Sequence, residues 1–274
     1  MRMMSRPSVL AGAVLILACA SAVAQPPPPP PPMLPPVQLD NLVSRVALYP
    51  DSLLAQIFAA ATYSDQITDA AHWADQHAYL KGDALANAIR EDQLPWDPSV
   101  IALLPFPGVL DMMAGDMGWT SQIGNAFLNQ QQDVMDAVQH ERHKAYDYGY
   151  LRTNQQLIVT PGPYITIAPV NPAFYYVPVY DPFIVFAAPR PGFFVGGAIH
   201  FGVGITIGAA FAPWGWGHAS FVWPSHGVII NGHQWARTWV NRRTYVHPYT
   251  VPRYAPERRV ERHELRPREE ERRR

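Results

Sequence analysis

The hydrophobic period of the chain changes once, near residue 150, and that change predicts its architecture. Before it, apolar residues recur at helical spacing in short runs stopped by proline or glycine. Leu39, Leu42, Val43 and Val46 form the first stripe. Tyr49-Pro50 ends it, because the residue before a proline is pushed out of the helical region. Asp51 stands where a cap is wanted for a second helix, with Leu53, Leu54, Ile57 and Phe58 on its apolar face. Ser64 opens a third through Ile67, Ala71 and Ala74, and Asp83 caps a fourth carrying Leu85 and Ile89. Asp97-Pro98 supplies a cap and a first-position proline before Val100, Ile101, Leu103 and Leu104. Pro107 opens a helix with Val109, Leu110 and Met113. One longer helix is predicted from Thr120 through Ile123, Phe127, Val134, Met135 and Val138.

After Gln156 the period becomes two. Leu157-Ile158-Val159, Tyr164-Ile165-Thr166-Ile167 and Phe174-Tyr175-Tyr176-Val177 read as short strands separated by proline-rich turns. Residues 199–211 alternate throughout, which predicts one strand with Ile199, Phe201, Val203, Ile205, Ile207, Ala209 and Phe211 on a single face. Residues 193–212 also have the length of a membrane span, with Gly-x-x-x-Gly spacings, but strict alternation favours the strand. Asn231-Gly232 predicts a tight hairpin, because both residues accept the positive φ of a type I′ turn. The pattern as a whole predicts an α+β protein: a bundle of short helices (39–150), a β-rich, Gly/Trp-rich domain (151–252), and a disordered Arg/Glu tail (253–274).

The flanks bear on location. Arg2 and Arg6, the uncharged apolar run Val9–Ala20 and the small residues Ala22-Val23-Ala24 have the plan of a secretory signal over residues 1–24, with a mature start at Gln25. Ile16-Leu17-Ala18-Cys19 is an alternative lipoprotein processing site, which would leave the protein anchored through Cys19. Cys19 is the single cysteine, so the folded part has no disulfide. Residues 25–38, with seven consecutive prolines, read as an extended polyproline linker. The expected location is the periplasm or cell surface.

Charge is split along the chain. Residues 39–149 carry 15 acids and 5 bases, and residues 150–274 carry 7 acids and 14 bases. That asymmetry suits docking of opposite signs, or a basic half that meets an anionic partner such as a phosphate-bearing lipid or an acidic wall polymer. Outside the cell, nucleic acid is not an expected partner.

Several blocks carry a resemblance. Ala47-Leu48-Tyr49-Pro50-Asp51-Ser52-Leu53-Leu54-Ala55-Gln56-Ile57, Trp96-Asp97-Pro98-Ser99-Val100, Gly124-Asn125-Ala126-Phe127 and Tyr176-Val177-Pro178-Val179-Tyr180-Asp181-Pro182, with shorter blocks between them, resemble the bacterial proteins grouped as domain of unknown function 3300. The resemblance covers about residues 39–185. It implies an exported bacterial protein with no assigned activity, so it brings no catalytic residue, cofactor or partner with it.

The residues themselves offer limited chemistry. Asp65, Asp69, His72 and Asp75 fall at helical spacing, and Asp69 with His72 has the form of a metal or acid–base pair, but a solvated polar face opposite Ile67, Ala71 and Ala74 explains the same residues and is the expected reading. Asp51 and Asp97 invite a paired-carboxylate hydrolase reading, although helix capping accounts for both. His200, His218, His226, His233 and His247 are spaced by 18, 8, 7 and 14 residues, which matches no metal-ligand pattern. No metal or cofactor is expected, and no nucleophile elbow or phosphate loop is present. The hairpin places His233, Trp235, Arg237 and Trp239 on one face, in a stretch that holds five of the eight tryptophans. Such indoles suit stacking on sugar rings with Arg237 holding an acidic group; the alternative is that this face is core, with Arg237 stacked on Trp235 or Trp239.

The reading that results is an exported envelope protein acting as an interaction or structural module, able to bind wall glycan, an anionic surface or a protein partner. The alternative is a cell-wall hydrolase using carboxylates of the helical part. Arg253–Arg274 holds nine arginines and six glutamates with almost no apolar residue. Deleting residues 255–274 should therefore leave the melting temperature unchanged in a thermal scan, and a large fall would show that the tail is docked.

Overall fold

The computed structural model describes residues 29–189 and 196–251. The predicted signal, the Arg/Glu tail and residues 190–195 lie outside the described residues. The expected α+β class is met. The helical run is α1 (Pro36–Val43), α2 (Asp51–Ala61), α3 (Ile67–Gln76), α4 (Gly82–Glu91), α5 (Pro98–Ile101), α6 (Pro107–Gly115), α7 (Met117–Asn129) and α8 (Gln131–Asp147). Prolines open α1, α5 and α6, where the missing N–H has no intrahelical partner to lose. The first of these turns takes Pro36–Gln38 out of the proline-rich segment and into a helix.

Caps are where local reading and structure part. Asp97 caps α5 as expected, its carboxylate accepting from the Ser99 N–H at 2.9 Å. Asp51 does not cap α2: Pro50 holds that position, and the carboxylate is drawn to Arg142 instead. Asp83 sits inside the first turn of α4 behind Lys81 and makes no cap bond. Ser64 begins a 3₁₀ turn, with α3 starting only at Ile67. The single long helix expected from Thr120 is two, α7 and α8, broken at Gln130 with φ −143° and ψ 51°. The break frees the Gln130 carboxamide to bind Leu34, accepting from its N–H at 2.7 Å and donating to its carbonyl at 3.1 Å.

The strands are short and antiparallel: β1 (Leu157–Thr160) with β2 (Thr166–Pro169), β3 (Phe174–Tyr175) with β6 (Ile205–Thr206), and β4 (Pro178–Tyr180) with β5 (Ile199–Phe201). A helical turn, α9 (Pro182–Val185), follows β4. β7 (Ala219–Val222), β8 (Gly227–Ile230) and β9 (His233–Gln234) form a three-stranded sheet. The continuous strand expected over residues 199–211 is not formed. Three residues, Gly202-Val203-Gly204, stand between β5 and β6, against two, Tyr176-Val177, between their partners β3 and β4. The mismatch is a bulge: it breaks the alternation, and Val203 is 90% exposed rather than on the apolar face. The run then ends in a 3₁₀ helix, Ala209–Trp214. No helix among the described residues is long and apolar enough to cross a membrane.

The helical and strand-rich segments share one core. From Pro31 onward the described residues pack as one compact unit. Phe58, Phe106 and Phe127 of the helices belong to the same buried cluster as Phe211, Trp214, Phe221, Trp223 and Trp235. The α2–α7 approach depends on Gly124, where a Cβ would lie 2.0 Å from the Ala61 carbonyl oxygen. A smaller cluster joins Leu48 and Ala145 to Leu157, Val159, Ile165 and Ile167.

Arg142 of α8 stands between these clusters and is fully buried. Its Nε donates to the Ala47 carbonyl at 2.8 Å and its Nη2 to that of Tyr49 at 3.0 Å. Its Nη1 donates to the Ile165 carbonyl at 2.8 Å and to Asp51 at 2.6 Å. The Trp223 ring lies 5.0 Å from the guanidinium, and its indole N–H donates to the other Asp51 oxygen at 3.1 Å. Removing one partner leaves a buried charge uncompensated, so Asp51→Ala should cost about 3–5 kcal/mol in denaturant unfolding. A loss below about 1 kcal/mol, the range of exposed ion pairs, would show the pair to be dispensable.

Candidate functional site

The hairpin face singled out by sequence is built as a two-residue turn, with Asn231 at φ 54° and Gly232 at φ 75°. Ile230 faces His233 as expected, and the Trp235 backbone N–H donates to the Val228 carbonyl at 2.8 Å. Pairing stops after Gln234, so Arg237 and Trp239 lie beyond the strand. The alternation nevertheless continues inward. Trp235 is 3% exposed and packs against Phe127 with ring centroids 5.2 Å apart and planes tilted by 31°. Arg237 is 8% exposed, 3.6 Å over the Tyr63 ring, and donates to the Thr62 and Arg242 carbonyls. Its stacking partner is thus Tyr63 rather than Trp235 or Trp239. His233 is exposed, and half-buried Trp239 carries the Arg242 guanidinium 3.7 Å over its ring. Trp235 and Arg237 belong to the core, while His233 and Trp239 remain at its edge.

Around Arg237 the fold assembles a constellation that spans the chain. The Asp97 carboxylate accepts from the Ser99 N–H and hydroxyl on one oxygen, and lies 2.7 Å from His247 Nε2 on the other. Tyr63, Tyr245 and Tyr249 surround His247, with ring centroids 6.5, 5.1 and 5.0 Å away. Burial by itself raises the Asp97 carboxyl, but the hydrogen bond and charge of His247 and the two bonds from Ser99 outweigh it and hold Asp97 below its ordinary value. Burial and the Asp97 charge push the Tyr63 and Tyr249 hydroxyls up, and burial lowers Arg237. His247 Nδ1, Tyr249 Oη, Trp235 Nε1 and Arg237 Nε are buried and have no partner among the described residues. Sequence reading named Asp97, Arg237 and His247 separately; 150 residues divide Asp97 from His247, and no local signal joins them.

The remaining candidates separate. Asp69, His72 and Asp75 lie on the exposed side of α3 and Asp65 is exposed on the 3₁₀ turn before it, and His72 bonds Gln76 at 2.8 Å, so the solvated-face reading describes them. Two aromatics beside helix ends, Tyr49 and Trp119, are buried in the core, and burial pushes the Tyr49 hydroxyl up to about 12. Of the five C-terminal histidines, His226 pairs with Asp136 at 2.8 Å and His247 with Asp97, while His200 and His218 are exposed. Among the described residues, Asp40, His140 and Glu141 form the one group whose ligand-type atoms all lie within 4.8 Å. A cation already stands there: Lys144 Nζ is 2.7 Å from Glu141 and 3.8 Å from Asp40. Beside it, α1 and α8 border an open groove of 420 Å³, with Leu39 and Ala137 on its floor and Asp40, Asp133, Asp136 and His140 at its rim.

Comparison with known proteins places this geometry in context. Residues 36–253 match a family described as "Protein of unknown function (DUF3300)". The chain is 35% identical over 182 residues to "Uncharacterized protein YacH" of Escherichia coli (strain K12). That alignment takes in 54% of this chain and 29% of the relative, so the chain spans less than a third of the protein it resembles. No solved structure matches the chain.

The Asp97 cluster predicts a pH dependence. A carboxyl held low in the folded state contributes stability above its unfolded pKa of about 3.9, and that contribution is lost as pH falls through the lower, folded value. Asp97→Asn should accordingly lower stability at neutral pH and flatten the acid limb of a stability-versus-pH curve. Parallel acid limbs for variant and parent would show that Asp97 carries none of it.

Proposed function

The chain belongs to the DUF3300 family of proteins of unknown function, and from that premise we propose that it is an exported cell-envelope protein serving as an interaction or structural module. The observation that carries this reading is how Asp51 and Asp97 are used. Hydrolysis by paired carboxylates needs two that face a cleft with room for substrate and water. Asp51 is closed off by Arg142 and Trp223, and Asp97 by Ser99 and His247. The open groove between α1 and α8 borders neither. This weighs against the alternative, a wall hydrolase acting through either residue.

Export is supported by the pattern of Met1–Gln25, and residues 1–24 are read as removed. For partner, wall glycan or an anionic envelope surface suits the edge of the C-terminal hairpin. There His233 and Arg243 are exposed, and Arg242 lies over Trp239. A guanidinium layered on an indole offers charge and a flat apolar face together.

The test combines fractionation with wall binding. Expressed with its own N-terminus, the protein should appear in the envelope fraction starting at Gln25, and should co-sediment with purified cell wall at low salt without releasing soluble glycan. Trp239→Ala should weaken sedimentation at an unchanged melting temperature. Cytoplasmic retention, absence of wall binding, or glycan release that Asp97→Asn abolishes without unfolding would each overturn the reading.

A further inference from the structure

A second open groove, of 570 Å³, runs along α7 from Asn129 toward Gly118, with Pro31 and Pro32 at its margin. No charged or aromatic residue lines it; its polar groups are the hydroxyl of Ser121 and the carboxamides of Gln122, Asn125, Asn129 and Gln130. We infer that this groove is a binding site for an extended, proline-rich peptide, read through its backbone carbonyls.

The first observation is that one end of the groove already holds such a segment. Asn129 Nδ2 donates to the Pro31 carbonyl at 3.0 Å, and Gln130 grips both backbone groups of Leu34. Carboxamides are the matching donors, because proline has no N–H and a polyproline helix makes no internal hydrogen bond. Every carbonyl of such a chain must therefore be met from outside.

Spacing supplies the second observation. A polyproline helix has three residues per turn and advances about 3.1 Å per residue, so carbonyls on one side recur every third residue, about 9.3 Å apart. The two carbonyls held by Asn129 and Gln130, those of Pro31 and Leu34, are three residues apart in this way. Ser121, Asn125 and Asn129 are four apart on α7, so they form one row of polar groups along the groove. Ser121 and Asn125 border the open part of the groove, and among the described residues no side-chain hydrogen bond engages either. A peptide laid along this row continues the recognition that Asn129 begins, and it loses little entropy, because proline pre-sets its backbone. The uncharged lining sets this ligand apart from wall polymers and lipid headgroups, and the inference does not rest on export or wall binding.

The experiment titrates a fluorescein-labelled heptaproline peptide with the full chain, and with a full chain whose residues 26–30 are changed to glycine and serine so that its own run cannot compete. Fluorescence anisotropy is the readout, and a glycine-serine peptide of equal length is the control. Saturable binding of heptaproline to either form, without binding of the control, is the expected result. Ser121→Ala with Asn125→Leu removes two donors and should weaken binding about tenfold at an unchanged melting temperature. The isosteric Asn125→Asp, which keeps shape but cannot donate, serves if the double variant unfolds and should also weaken binding. No saturable binding to either form, equal binding of the control peptide, or full affinity in the Asn125→Asp variant would overturn the site.

Discussion

A guanidinium removed from water must satisfy its donors inside the protein, and Arg142 does so with four groups from two distant stretches of the chain. The carbonyls of Ala47 and Tyr49, the carbonyl of Ile165 and the carboxylate of Asp51 cannot all reach it unless α8, the turn before α2 and the approach to β2 stand in one arrangement. Gln139, one turn earlier on α8, reinforces the same junction by exchanging two hydrogen bonds with the backbone of Ile165. Trp223 extends the network into the last sheet, layering its ring near Arg142 and donating to Asp51. Without this centre the strand-rich segment would lose its register on the helices, and with it the buried face of the hairpin.

That constraint also shapes the chemistry. A carboxylate that balances a buried cation is not free to act on a substrate, and Asp51 is held in that role. Asp97 is held by a different device, a helix cap shared with a histidine from the far end of the chain. Histidine–aspartate pairs recur as fasteners: His140 to Asp40 joins α8 to α1, and His226 to Asp136 joins the β8 turn to α8. Each joins segments at least 90 residues apart. Among the described residues, the open surface includes two grooves flanking the segment that leads into α1, and the edge of the hairpin.

Much of this was legible locally. Asp97-Pro98-Ser99 announces a cap because the donor it needs is two residues away, and Asn231-Gly232 announces its turn because positive φ is a property of those residues alone. The alternation of Trp235, Arg237 and Trp239 was equally legible; its direction was not, since period two identifies a face without saying what covers it. Asp51 shows the limit most sharply. By local rules it is a helix cap, yet a buried charge 91 residues away claims it. The bulge at Gly202-Val203-Gly204 was likewise hidden, because an extra residue is defined only against a partner strand.

The amino-acid sequence by itself determined the α+β class, the order of short helices before short strands, and the prolines and glycines that divide them. Each of these depends on propensity and period within a turn or two of the chain. Only the tertiary structure decided that both halves share one core, that Arg142 is its polar centre, and that the aromatic hairpin turns inward. Those outcomes follow from desolvation and close packing between residues that are distant along the chain, and no local pattern encodes which of them will meet.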